Sequence, residues 1–247
     1  MSPSTEVREN RDFASEIKFL ITPALAEQIR DWARWRLAPD PNGSPDLDDA
    51  YRTATLYFDT EQFDVFHRKG SFGRSKYRVR RYGENGAAFL ERKLKTGGLL
   101  TKRRTLVKLG ELERLASAEP ERGWAGYWFH QRLLARRLKS VCRISYRRAA
   151  HVAMTNSGPI RLTLDHHIRT VPASGFLFHN AEKGARLLEN QVVLELKYCV
   201  EVPLLFKLLV EEFALNPQPI SKYRLAAVAL GLVPDSSSGR PPWYGNY

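Results

Sequence analysis

The chain has 247 residues, 39 Lys and Arg against 27 Asp and Glu, a formal net charge of +12, and 43% hydrophobic residues. That length and apolar fraction suit a globular core, and the charge points to an anionic partner. With only Cys142 and Cys199 the chain carries no disulfide framework and no CxxC metal site, and no apolar run approaches the ~20 residues of a membrane span.

The charged N-terminus predicts no secretory leader, and a cytoplasmic, reducing location is expected. Residues 1–14 read as a polar tail, 15–232 as one folded domain, and 233–247 as a Ser-, Gly- and Pro-rich tail. Glu16 to Ile21 predicts a strand with Glu16 and Lys18 on one face and Ile17, Phe19 and Ile21 on the other. Thr22-Pro23 then opens a helix as N-cap and first helical residue, with Leu25, Ile29, Trp32, Ala33 and Leu37 at helical spacing. Arg52 to Phe58 predicts the next strand, and Glu61 to Arg68 a short helix that places Arg68 beside a glycine-containing loop. Gly70-Ser71-Phe72-Gly73 is not a phosphate-binding P-loop, because no Gly-Lys-Ser/Thr follows.

Lys76 to Tyr82, the turn Gly83-Glu84-Asn85-Gly86, and Ala87 to Lys95 predict a hairpin. Alternation puts Lys76, Arg78, Arg80 and Tyr82 on one face of the first arm, and Glu91, Lys93 and Lys95 on one face of the second. Like charges on paired strands repel unless an anion lies between them, so a polyanionic ligand is inferred. Leu100 to Leu109 is a basic extended segment bearing Lys102-Arg103-Arg104. Glu111 to Ala118 and Trp124 to Lys139 predict helices. Val141 to Arg148, Pro159 to Ile168 and Gln191 to Cys199 repeat the alternation, with Arg143, Ser145 and Arg147 on one face of the first and Cys142, Ile144 and Tyr146 on the other. Arg161, Asp165 and His167 share a face of the second, and Glu195 and Lys197 a face of the third. Asp165-His166-His167 spells a metal-phosphoesterase motif without its companions and reads as a polar cluster. Helices over Pro203 to Leu215 and Ser221 to Leu230 close the chain.

Two architectures fit this alternation: an open sheet with a solvated charged face, or a sheet rolled so that the charged faces line a lumen and amphipathic helices cover the apolar outside. The charged faces hold mostly Arg and Lys, the phosphate-binding side chains, with isolated carboxylates at Glu16, Glu91, Asp165 and Glu195. That mixture suits a Mg²⁺ or Mn²⁺ ion bridging phosphate oxygens.

Glu16-x-Lys18-Phe19, Leu56-Tyr57-Phe58-Asp59, Tyr77-Arg78-Val79-Arg80-x-Tyr82-Gly83, Glu91-Arg92-Lys93, Arg143-x-x-Tyr146-x-Arg148, Arg161-Leu162-Thr163-Leu164-Asp165, Leu194-Glu195-Leu196-Lys197 and Ser221-Lys222-Tyr223 occur in this order. The set resembles the catalytic domain of the vacuolar transporter chaperone (VTC) family, within the triphosphate tunnel metalloenzymes. The resemblance implies an α+β fold, a closed antiparallel eight-stranded β tunnel with helices packed outside. It implies a phosphotransferase, a polyphosphate polymerase that moves the ATP γ-phosphate onto a growing chain with Mn²⁺ or Mg²⁺. Catalytic roles then fall to Lys18, Arg78, Arg80, Lys93 and Lys222, phosphate binding to Arg68, Lys102, Arg104, Arg143, Arg161 and Lys197, and metal binding to Glu195 and Glu16. ATP and inorganic polyphosphate are the implied partners, with a membrane-protein partner outside this chain; nucleic acid is not expected as a specific ligand. A metal-dependent triphosphate hydrolase and a non-catalytic polyphosphate- or nucleic-acid-binding module are the alternatives.

Overall fold

The computed structural model describes residues 15–84, 86–96, 99–178 and 183–233. Asn85 of the expected hairpin turn, Gly97-Gly98, the expected N-terminal tail and residues 234–247 of the expected C-terminal tail lie outside the described residues, while Val233, the first residue of that tail, is buried in the core. In chain order the elements are β1 (Ser15–Ile21), α1 (Pro23–Arg36), β2 (Ala38–Pro39), β3 (Ala50–Asp59), β4 (Ser75–Tyr82), β5 (Ala87–Thr96), β6 (Leu99–Lys108), α2 (Tyr127–Ala135), β7 (Lys139–Thr155), β8 (Gly158–Pro172), β9 (Ala185–Arg186), β10 (Val192–Tyr198), α3 (Leu204–Glu212) and α4 (Lys222–Ala229). No helix among the described residues is long and apolar enough to cross a membrane.

The eight long strands form one antiparallel sheet in the order β1-β10-β8-β7-β3-β4-β5-β6, with short β2 on β7 and β9 on β8. The sheet rolls up, because residues from all eight long strands line one cavity. This is the expected tunnel architecture, with one detail added. Among the described residues the end strands β1 and β6 do not pair with each other. Instead Lys93 Nζ of β5 reaches across the seam and donates to Glu16 Oε1 of β1 at 2.9 Å.

Strand alternation sorts the sequence onto the two faces. On one half Phe19, Ile160, Leu162, Leu164, Leu194 and Leu196 point outward and are buried under Ile29, Trp32 and Ala33 of α1 and Phe206 and Leu209 of α3. On the other, Leu56, Val79, Leu90 and Val107 lie in one buried cluster with Phe129 and Leu133 of α2 and with Leu112 and Leu115 of the 3₁₀ segment Leu109–Ala116. The helix α1 starts as the sequence predicts: Pro23 is its first residue, and the Thr22 hydroxyl accepts from the Leu25 N–H at 3.2 Å. One end of the tunnel interior is filled. Cys142 and Ile144, on the same face of β7 as the cavity-lining Tyr146, are buried in one cluster with Tyr223, Ala226 and Ala227 of α4.

Three expectations change. The segment 61–68 is a series of turns and not a helix. The buried Asp59 carboxylate accepts from the N–H groups of Thr60, Val65 and Phe66, and Thr60 Oγ1 bonds Asp64, so local side chains take the donors a helix would use. The long helix of 124–139 shortens to Tyr127–Ala135, since the Trp124 ring folds back on Gly126, where any Cβ would stand 2.4 Å from it. In β8 a bulge takes up an extra residue opposite Ser145–Arg147, and His167 sits there at φ 52°. A bulge shifts the alternation by one residue. Asp165 keeps the inner face, while His167, expected beside it, is carried to the outside.

Asp59 also accepts from the Tyr223 hydroxyl, so it joins the end of β3 to α4. An amide there presents one acceptor oxygen and turns an NH₂ toward N–H donors. Asp59→Asn should therefore lower the unfolding free energy by about 2 kcal/mol, read by urea denaturation; an unchanged midpoint would show that the junction carries no stability.

Candidate functional site

The rolled sheet encloses a cavity of about 290 Å³, near the lower end of the ~300–1,000 Å³ typical of small-ligand clefts. Its wall carries eleven cations, Lys18, Lys76, Arg78, Arg80, Lys93, Lys102, Arg104, Arg148, Arg161, Lys197 and Lys222, against two carboxylates, Glu16 and Glu195. The register places them in rows. Glu16, Lys197 and Arg161 are cross-strand neighbours, as are Lys18, Glu195 and Thr163, and on the other half Tyr57, Arg78, Glu91 and Arg104.

The charges fall into three groups. Glu91, only 1% exposed, meets Arg78 Nε at 2.6 Å, Arg104 Nε at 3.2 Å and Lys102 Nζ at 3.4 Å. Opposite it, Arg148 grips Asp165 with Nε and Nη2 at 2.6 and 2.7 Å. Lys222 Nζ joins Asp165 at 2.6 Å to Glu195 at 3.0 Å, and Lys197 Nζ meets Glu195 at 2.7 Å. At the seam Glu16 takes Lys93 at 2.9 Å and Lys18 at 3.1 Å. Arg80 stands differently: its Nε donates to Thr55 Oγ1 at 3.2 Å and its guanidinium lies 5.9 Å from the Tyr82 ring centre. Arg161 is held by Asp40 at 2.7 Å and the Tyr51 hydroxyl at 2.8 Å.

Burial alone would raise the carboxyl pKa values, but the surrounding cations win. Lys18 and Lys93 hold Glu16 well below the usual range, Lys197 and Lys222 do so for Glu195, and Arg78 and Arg80 for Glu91. Burial would lower Lys222, yet Asp165 and Glu195 hold it above the ordinary lysine value. Burial prevails at Lys197 and brings it down to about 8 despite Glu195.

Of the residues singled out in the sequence, Lys18, Arg78, Arg80, Lys93, Lys102, Arg104, Arg161, Lys197, Lys222, Glu16 and Glu195 meet in this lumen. Arg143 and Arg68 do not. Arg143 points outward and donates to the Leu177 carbonyl at 2.8 Å, because the lumenal positions of β7 are the even ones. Its motif contained the right cation two positions past Tyr146: Arg148. Arg68 is exposed in the turn before β4, close enough to Lys76 for their charges to repel. Lys76, Tyr57, Tyr82, Tyr146 and Tyr223 complete the wall. Alternation signals Lys76 and Tyr82; nothing local signals the others.

Among the described residues no group of three or more His, Cys, Asp or Glu side chains could hold a metal. Asp165 is fully buried with both oxygens taken by Arg148 and Lys222, so it is a counter-ion. Glu16 and Glu195 differ from it in lining the cavity itself, Glu16 with only Oε1 taken by Lys18 and Lys93, Glu195 with its two oxygens on Lys222 and Lys197. They share the cavity and are close enough that Glu195 raises the Glu16 pKa. Two such oxygen donors fit Mg²⁺ or Mn²⁺, which take one or two carboxylates and complete their shells with water and phosphate.

A rolled antiparallel sheet around a cation-lined lumen, with helices outside, defines a triphosphate tunnel fold. Two solved structures share it. A Bacillus halodurans protein described as a candidate adenylate cyclase superposes with a TM-score of 0.54 at 15% identity, over 85% of this chain and 94% of that one. A Hippeastrum protein described as a candidate adenylyl cyclase with dominant triphosphatase activity gives 0.51 at 13%, over 87% and 95%. No curated protein matches the chain. The VTC domain description matches residues 13–230, and the chain belongs to the VTC domain family.

The charge groups set the outcome of two substitutions and of an acid titration. Glu91→Gln leaves Arg78, Lys102 and Arg104 without their shared anion. It should cost about 2–3 kcal/mol, below the usual 3–5 for a buried pair because the cations are part-exposed. Arg80→Ala removes crowding and should leave the melting temperature level or higher; a clear fall would mean that Arg80 is a structural residue. The lumenal carboxyls have folded-state pKa values below their unfolded ones of about 4. Their contribution is therefore complete above pH ~4 and is lost progressively as pH falls through the folded values. Thermal melts between pH 6 and 2, both approximate limits, should show stability declining only below pH ~4; a decline starting near neutrality would assign it to other groups.

Proposed function

We propose that this chain is a polyphosphate polymerase, transferring the γ-phosphate of ATP to a phosphate chain held in the lumen. The observation that carries the reading is the excess of eleven cations over two carboxylates on the wall of one cavity. Glu91, Asp165 and Asp40 pair with some of these cations from behind the wall, and burial brings Lys76 down to about 7; the positive charge that remains supports binding of several phosphates at once.

Phosphoryl transfer has a loose transition state with charge spread over peripheral oxygens, so the protein supplies position and positive field. In this reading the terminal oxygen of the acceptor chain attacks Pγ in line. The bond from Pγ to the β-phosphate bridging oxygen breaks, the chain gains one phosphate, and ADP leaves. Arg78 and Arg80 on β4 and Lys93 on β5 grip from one side, and Lys18, Arg161, Lys197 and Lys222 from the other. Lys222, tied to two carboxylates, stays protonated through the neutral range and serves as a fixed charge. Lys197, near 8, gains a proton more firmly as phosphates approach. A divalent cation bound with the nucleotide supplies neutralisation of phosphoryl oxygens, and Glu16 and Glu195 would hold it. The resemblance bears on direction too: β1 starts Glu16-x-Lys18 and not with the Glu-x-Glu-x-Lys of the hydrolytic branch of the triphosphate tunnel metalloenzymes, which supports synthesis over hydrolysis.

Incubation of the pure protein with ATP and Mn²⁺ tests this. Polymer plus ADP is expected; ADP plus free phosphate would make it a hydrolase, and binding without turnover a binding module. Polyphosphate affinity should fall steeply with salt, because each cation–phosphate contact releases counterions. Glu195→Gln should lose turnover on the order of a hundredfold, the scale of removing a key electrostatic group. Its polyphosphate affinity should hold or rise, since Lys197 and Lys222 are freed from their anion. Near-normal turnover across a Mn²⁺ titration would make Glu195 a counter-ion only.

A further inference from the structure

A second cationic concavity of about 420 Å³ gathers outward-facing residues of β3, β4, β7 and β8 and meets the lumenal wall only at Thr53 and Tyr146. Arg81, Ala54, Ser145 and Arg169 are successive cross-strand neighbours on β4, β3, β7 and β8. Four strands at ~4.8 Å spacing make this row about 14 Å long between its end residues. Two small residues thus floor a trough with an arginine at each end. In the adjacent row Arg147 stands directly opposite Arg52. The β8 bulge adds His167 to the same wall.

The arginines are built in. Arg81, Arg147 and Arg169 are half-buried, and two of them are held by backbone carbonyls: Arg147 by Leu47, and Arg169 by Gly184 at 3.1 Å. Carbonyls orient a guanidinium without cancelling its charge. The Arg81 Nε is buried with no hydrogen-bond partner among the described residues. Glu84 is the one carboxylate on the wall among the described residues. Asp48 lies near Arg147 but is already bonded to Arg30 and Arg34.

We propose that this trough is a second binding site for a phosphate chain, outside the lumen. Guanidinium forks match phosphate oxygens, and their spread along a narrow floor fits an extended chain better than a single compact anion. Tyr146 on this wall is buried, which leaves Phe178 and the His167 imidazole as the accessible rings, too few for the run of stacked aromatics that single-stranded nucleic acid uses. The charged residues of this site are not shared with the lumen, and the proposal does not depend on the lumenal reaction.

Titration calorimetry with tripolyphosphate tests it. The wild type should show two classes of site. Arg80→Ala should weaken the lumenal class, and Arg81→Gln with Arg169→Gln the outer class at least tenfold, leaving lumenal binding and ATP turnover unchanged. Arg147→Gln alone serves as a second probe should the double variant fold poorly, as judged by melting. Product length on ATP separates the two sources of the chain. Shorter product in the outer variant means that the trough holds the chain made in the lumen; unchanged length with lost binding means a chain from solution. A single class in the wild type, an outer class that survives all three substitutions, or equal competition by a single-stranded oligonucleotide would overturn the proposal.

Discussion

Like-charge crowding is the constraint on which the rest of this structure depends. Eleven cations face one small cavity, and in a low-dielectric enclosure their mutual repulsion is much larger than on a wetted surface. The fold answers with few, well-placed anions. Glu91 serves the β4–β6 side, Asp165 and Glu195 the β7–β10 side and Glu16 the seam. Each is shared among two or three cations, so neutralisation stays partial and a net positive field survives. A one-to-one pairing would give a more stable apo protein with no electrostatic reason to take up phosphate.

Rigidity at the filled end complements this field. The Asp59 carboxylate ends β3, organises the following turns and accepts from Tyr223, whose ring stacks on Tyr57 at 5.4 Å between centres. Lys222 is the adjacent residue and the first of α4. Its ammonium is thereby delivered between Asp165 and Glu195 by packing, and the flexible lysine stem does not have to find that position unaided. The same helix closes the floor, so the lumenal charges rest on an apolar plug.

Most of this was legible in the sequence because a strand's period of two reports directly on faces. The ladder Lys76, Arg78, Arg80 and Tyr82, the pair Glu16 and Lys18, and the pair Glu195 and Lys197 all point where alternation puts them. Arg143 was misassigned against that same rule: its parity is that of Arg147, outside. His167 could not be placed, because a bulge that inserts one residue is specified by how β8 meets β7 and leaves no local signature. The helix expected over 61–68 failed for a tertiary reason, since its N–H donors go to Asp59. The pairing of Arg148 with Asp165 joins residues 17 apart on two long strands and becomes visible only once the register is known.

The seam changes what kind of container the lumen is. A barrel closed by a continuous hydrogen-bond ladder is topologically a ring, and a polymer inside it leaves only by sliding until its end passes through. Here the circuit is completed at Lys93 and Glu16, by side chains. Among the described residues the gap between β1 and β6 is thus bridged by side chains, and the backbone ladders on either side do not depend on that bridge. If the lumen holds a phosphate chain as proposed, such a seam offers it a sideways exit, so that leaving does not require the whole chain to slide out end first.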